Sequence, residues 1–318
     1  VSLPLPPVYP HDHQLRHAQD GGYHLFWLDA RFDDPDGATY LWTVYMDAKL
    51  QTQRGQVQLS EIQSGKFAVI DHPDRTATVV WSEYATDEPA LHIRTVDALG
   101  RPRPAALLVS DARNPVLVRR GDRVELFWIR ASDRQVMRGQ LVDDTLMDIT
   151  PLTAPPAMTP ADYLNDFQVG FDQNTTYLLW NIARSGGVDE VWMAHSTGET
   201  WSQARRLGVG ESSETPFQTG FNGGMAQATT SGENALRWAT PLTGEFESLV
   251  IAGQVGDELV LLYLQGGEVV AMQPIIVLTH DLIGKPSLVT DRDRHLYLAW
   301  AEPTDAGYAN LNLTTTKY

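Results

Sequence analysis

The chain has 318 residues, 42% of them hydrophobic and none of them cysteine, and 40 acidic against 24 basic side chains give a formal net charge of −16. That charge argues against a nucleic-acid backbone or an anionic membrane surface as partner, and the lack of cysteine removes disulfides, thiolate metal sites and cysteine nucleophiles. No apolar run reaches the 18 residues that a membrane-spanning helix needs.

The first eight residues carry Pro4, Pro6 and Pro7 and are suited to an edge strand at most. The chain opens on Val1 with no charged n-region. This fits a mature product whose targeting segment has been removed, or else an arbitrary boundary. From residue 9 onward one cadence returns: a short apolar run ends in Trp after a polar turn. It recurs at Trp27, Trp81, Trp128, Trp180, Trp238 and Trp300, spaced 54, 47, 52, 58 and 62 positions apart. A self-similar unit of that length, built from strands, predicts an all-β fold with one four-stranded antiparallel blade per repeat, a β-propeller.

Taken in order, the predicted blades cover residues 9–60, 66–110, 113–152, 165–210, 217–282 and 285–318. The second shows the pattern most fully. Residues 67–71 lead into the turn His72-Pro73-Asp74-Arg75, the Trp strand follows at 78–84, and further strands lie at 91–96 and 105–109. The third uses the turn Arg120-Gly121-Asp122, and the fourth uses Asp172-Gln173-Asn174. The fifth holds two candidate Trp-type strands, at 235–239 and 258–264, so the count is six blades with an enlarged fifth, with seven or five as alternatives. The sixth lacks a strand, and residues 1–8 are the natural filler, since an unfilled blade leaves a bare sheet edge. The repeat runs end to end, which predicts one domain over 1–318.

Residues Ala194-His195-Ser196-Thr197-Gly198-Glu199-Thr200-Trp201 resemble the Asp-box of sialidase-type (BNR-repeat) propellers, Ser-x-Asp-x-Gly-x-Thr-Trp. Gly198, Thr200 and Trp201 match, whereas Ala194 and Ser196 stand where that family has Ser and Asp. The resemblance implies a blade-hairpin turn away from any active site. Sialidase chemistry would also need three Arg on a substrate carboxylate, a Tyr nucleophile helped by Glu, and an acidic donor. Arg31, Arg113, Arg130, Arg184, Glu83 and Tyr84 are candidates, but neither Arg16 nor Arg31 has the family's Arg-Ile-Pro-like context.

The opening Tyr9-Pro10-His11-Asp12-His13 is similar to propeller glycosidases that work with three carboxylates. On that resemblance Asp12 would be the base, Asp166 the modulator and Glu302 the acid, and such groups must converge within about 5–10 Å. Two residues after each Trp stand Asp29, Glu83, Arg130, Ile182, Thr240 and Glu302. Strand periodicity puts each on the face of its Trp, at the strand's end. The four polar ones would gather on one rim, or are simply polar strand ends.

His11, His13 and His17 read as a solvated coil and not as a metal site, and the Asp-rich turns at 33–37 and 291–293 lack the full ligand series of a calcium loop. Tyr163, Phe217 and Phe221 are aromatic side chains at predicted loop tips, placed to stack on sugars. The glycine-rich stretch at 220–224 reads as an exposed contact loop. Together these features predict a non-catalytic binding or scaffold module, secreted or in a bacterial envelope, with a protein or carbohydrate partner and no cofactor. Its contact residues would be Asp29, Arg31, Glu83, Tyr84, Arg130, Arg184 and Phe221. A glycoside hydrolase is the alternative.

Overall fold

The structure, a computed structural model, describes residues 10–17, 22–30, 38–47, 49, 51–52, 55–74, 76–84, 88–153, 156–159, 161–184, 190–198, 200–207, 236–242, 247–282, 285–290, 295–303 and 309–317. Arg31, Phe217, Phe221, the Asp-rich turns and the filler strand at 1–8 lie outside them. The fold is all-β, six small antiparallel sheets forming a six-bladed β-propeller, with no helix among the described residues. The chain divides into two compact units, Val1–Ala154 and Pro155–Tyr318, with three blades in each.

In the first unit, blade 1 comprises β1 (Pro10–His17), β2 (Tyr23–Ala30), β3 (Thr39–Met46) and β4 (Val57–Gln58). Blade 2 comprises β5 (Ser64–Asp71), β6 (Ala77–Glu83), β7 (Ala90–Val96) and β8 (Ala106–Ser110). Blade 3 comprises β9 (Ala112–Arg120), β10 (Arg123–Arg130), β11 (Val136–Val142) and β12 (Thr145–Pro151). The middle strands are apolar on both faces because each sheet is covered on two sides. Phe26 and Leu41 of blade 1 pack with Phe67, Val79 and Trp81 of blade 2, while Val80 and Ile93 turn the other way, onto Leu126 and Trp128 of blade 3. The stretch around His11 and His13, read as coil, is in fact β1, paired along its length with β2.

In the second unit, blade 4 comprises β13 (Tyr163–Phe171), β14 (Thr176–Ala183), β15 (Glu190–Ser196) and β16 (Arg205–Arg206). Blade 5 comprises β17 (Leu236–Pro241), β18 (Leu249–Val255), β19 (Glu258–Gln265) and β20 (Glu268–Val277). Blade 6 shows β21 (Ser287–Thr290), β22 (His295–Pro303) and β23 (Ala309–Lys317) among the described residues. Leu249 and Ile251 face Tyr177 and Leu179 of blade 4, whereas Val250 and Ala252 of the same strand face Leu298 and Trp300 of blade 6. Blade 5 corrects the sequence reading. Trp238 belongs to the first strand, and the second strand, residues 249–255, has no Trp at all.

One irregularity recurs at the start of the first strand. The register slips by one residue at Asp12, at Gly65-Lys66, at Asn114-Pro115, at Asn165 and at Trp238-Ala239. Asp12, Asn114 and Trp238 take φ values of 35°, 54° and 56° there. A bulge re-aims side chains and commonly marks a functional rim. The opposite end carries the turns between third and fourth strands. Asp47 and Asp97 each accept two backbone N–H groups across such a turn. The partial Asp-box occupies the same place in blade 4, where Ser196 Oγ closes onto Gly198.

Candidate active site

In the second unit the bulge of β13 delivers Asp166, whose Oδ2 accepts from Lys285 Nζ at 2.6 Å and from Gln168 Nε2 at 2.7 Å. The Asp166 side chain is 12% exposed and that of Lys285 is 32% exposed, so the pair meets solvent at one edge. Lys285 sits on the connection from β20 to β21, which is pinned at two further points. Glu302 at the end of β22 accepts from Thr279 N and Oγ1, both at 2.9 Å, and from His280 N at 3.3 Å. Gln254 at the end of β18 accepts from Leu282 N at 3.1 Å and donates to Asp281 Oδ1 at 2.7 Å. Beside this strap lies a cavity of about 360 Å³, bounded in part by Arg237, Asp257, Thr279 and His280. Tyr163, 63% exposed, opens β13 at the same end of its blade.

The structure thus brings two of the three proposed carboxylates, Asp166 and Glu302, onto one connection. It gives them different surroundings. Glu302 receives five donors in all, the others being Trp300 Nε1 at 2.9 Å and Asn312 Nδ2 at 3.1 Å. Burial pushes its pKa up, but the hydrogen bonds from Trp300, Thr279 and His280 outweigh that and hold the carboxyl below its usual range. A general acid needs the opposite, a retained proton and an open oxygen. The donors from Thr279 and His280 tie Glu302 to the connection that carries Lys285.

The charged residues two positions after a Trp are buried or engaged within their own blades. Glu83 and Glu302 turn back onto the indole of their own Trp, Trp81 Nε1 donating to Glu83 Oε1 at 2.9 Å. Asp29 is fully buried. Arg130 clips its own turn through Asp133 and Gln135, and this pair holds the Asp133 carboxyl down at about 2. Arg184 donates to Glu190 at 2.8 Å and to Asp162 at 2.9 Å and lies over Trp192, so its fork is already engaged within blade 4. Neither Arg presents an open grip for a substrate carboxylate.

In the first unit the β1 bulge carries Asp12, paired with Lys66 of the β5 bulge. Tyr84, 39% exposed, lies over Gly65, where an added Cβ would sit 2.4 Å from Cε2 of the ring. Glu83 also meets His92 Nε2 at 3.2 Å. Among the described residues no group of three His, Asp or Glu side chains is placed to hold a metal ion.

Sequence reasoning overlooked Lys66, Lys285, Arg237 and Gln254. A signal did exist for the first two. The chain has only four Lys, and two of them pair with a carboxylate at a first-strand bulge.

No protein-family model and no curated protein sequence matches the chain. Solved structures do. It is similar in fold to the GH93 α-L-arabinofuranosidase of Fusarium graminearum, solved with arabinobiose, at TM-score 0.62 and 12% identity, covering 98% of this chain and 95% of that one. A protein of unknown function from Dyadobacter fermentans matches at TM-score 0.58 and 12% identity, over 96% and 94%. A PL25 ulvan lyase matches at TM-score 0.55 and 9% identity, over 95% and 78%. At such identities the likeness establishes the propeller fold. The named enzymes among these neighbours act on carbohydrate, a finding that goes against the expectation of a non-catalytic module.

Proposed function

We propose that the chain is a carbohydrate-active enzyme, a glycoside hydrolase, working at the bulged end of blades 4 to 6. The observation that carries this reading is Asp166. It is a carboxylate displaced by a bulge, paired with Lys285, fixed by Gln168 and open to solvent at one edge. A strand-borne carboxylate held by three donors, Phe167 N on Oδ1 and Gln168 and Lys285 on Oδ2, keeps one orientation and presents a base to an attacking water. Glu302 serves it indirectly, by fixing the connection that brings Lys285 across. Tyr163 offers a ring face on which a sugar can stack. Asp12 with Lys66 is the corresponding carboxylate pair of the first unit. The site meets polymeric substrate outside the cell, in keeping with an exported protein, and the Asp-box-like turn supports kinship with sialidase-type propellers at the level of fold.

The test is a kinetic comparison of Asp166→Asn and Lys285→Met on whichever polysaccharide the native protein turns over. Asp166→Asn lowers kcat about 100-fold or more while the protein stays folded at the assay temperature, as its melting curve checks. Full activity in Asp166→Asn would remove this residue from the chemistry and the reading with it.

A further inference from the structure

The cavity beside the strap differs from the Asp166 edge in what it offers an incoming group. Its volume, about 360 Å³, falls at the lower end of the range for small-molecule sites, about 300–1,000 Å³. Most of its polar wall is already committed. Gln254 is fully buried, with Nε2 donating to Gly256 O at 2.8 Å and to Asp281 Oδ1 at 2.7 Å, and Oε1 accepting from Leu282 N. Thr279 spends both its donors on Glu302. Asp281 has one oxygen on Gln254 and the other 3.3 Å from Arg237 Nη1.

Arg237 is the exception. Its guanidinium has five N–H donors, and among the described residues it makes that single long contact with Asp281. Arg237 is carried by β17, and its fork lines the cavity beside the carboxylates of Asp257 and Asp281. A planar fork of this kind matches two oxygens of one anionic group better than it matches scattered hydroxyls. The molecule as a whole is strongly acidic, so no long-range field draws anions in and discrimination rests on the short-range contact.

We propose that this cavity is a subsite for an anionic substituent of a carbohydrate chain, a carboxylate or a sulfate ester, with Arg237 as the specificity-determining residue. Asp257 accepts hydroxyls of the same sugar unit. The inference rests on the carbohydrate reading above and narrows it from sugars in general to acidic ones.

The test is calorimetric titration of the whole chain with three probes: trigalacturonate, a sulfated galactan oligosaccharide and neutral arabinotriose. At least one anionic probe binds about tenfold tighter than arabinotriose or better. Arg237→Gln weakens that probe by about 10- to 100-fold and leaves arabinotriose unchanged. Asp281→Asn tightens it, by releasing Arg237 from its ion pair with Asp281, a gain that misfolding cannot imitate. Preference for the uronate identifies a carboxylate ligand, and preference for the sulfated probe identifies a sulfate ester. Equal affinity for neutral and anionic probes, or anion binding untouched in Arg237→Gln, overturns the subsite while the carbohydrate reading stands. No heat with any of the three overturns both.

Discussion

Glu302 shows at the scale of one residue what a reading from spacing can convey and what it leaves out. Strand periodicity places it on the face of Trp300, and the indole does donate to it. What spacing could not convey is that Thr279, His280 and Asn312 would arrive on the same carboxylate from other elements. Replacing Glu302 by Gln exchanges charge-assisted bonds for neutral ones and should cost about 2 kcal/mol of stability. A strap loosened in this way shifts KM more than kcat, and a melting curve with steady-state kinetics reads both. Asp172 is a second carboxylate of this type. Burial raises its pKa, but bonds from Tyr177, Asn174 and Thr175 win and hold it low. Both groups have folded-state values below the unfolded ones. Their stabilisation is therefore complete above the ordinary carboxylate range and is lost as pH falls through the folded-state values. Melting temperature should fall between about pH 5 and pH 3, and less steeply in Glu302→Gln. A slope there that Glu302→Gln leaves unaltered would contradict this account.

Elements account for most of what was legible and for the main misreading. Five of the six Trp residues used to count blades do sit in second strands, because a strand covered on both faces needs bulk at its middle. The sixth, Trp238, follows an apolar run as the others do, yet it occupies a bulge in a first strand. The true second strand of blade 5 is filled with Leu, Val and Ile and carries no aromatic marker. The bulges themselves left no trace in the hydrophobic pattern, since a one-residue slip at a strand end changes few buried positions. Close sheet approach did leave a trace, in glycines. A Cβ on Gly170 would lie 2.7 Å from Leu249 Cδ1 and 3.1 Å from Pro241 Cβ, between blades 4 and 5. Gly170→Ala should therefore cost about 1–3 kcal/mol by overpacking, measurable as a lower denaturant midpoint. Tyr163 belongs to this scale too, as the exposed opening residue of β13. Tyr163→Ala should raise KM about tenfold, the loss of one stacking contact, with kcat little changed.

For the molecule as a whole, composition and repeat length were enough for the all-β class and six blades. Function was less accessible for a physical reason. Asp166 and Lys285 are 119 positions apart, and Arg237 and Asp281 are 44 apart, so each pair exists only once the blades have formed. In the linear sequence the known catalytic constellations are incomplete. The folded chain instead assembles a bulge-borne carboxylate, a lysine on a strap and a polar cavity within one unit. The most direct measurement is reducing-end release by the native protein from arabinan, galactan, xylan, polygalacturonate and ulvan, with ultraviolet absorbance followed for unsaturated lyase products. The account predicts reducing ends from at least one polymer, no unsaturated product, and loss of the signal in Asp166→Asn. Unsaturated ends would replace hydrolysis with elimination. No release from any polymer by a folded protein would contradict the enzymatic claim.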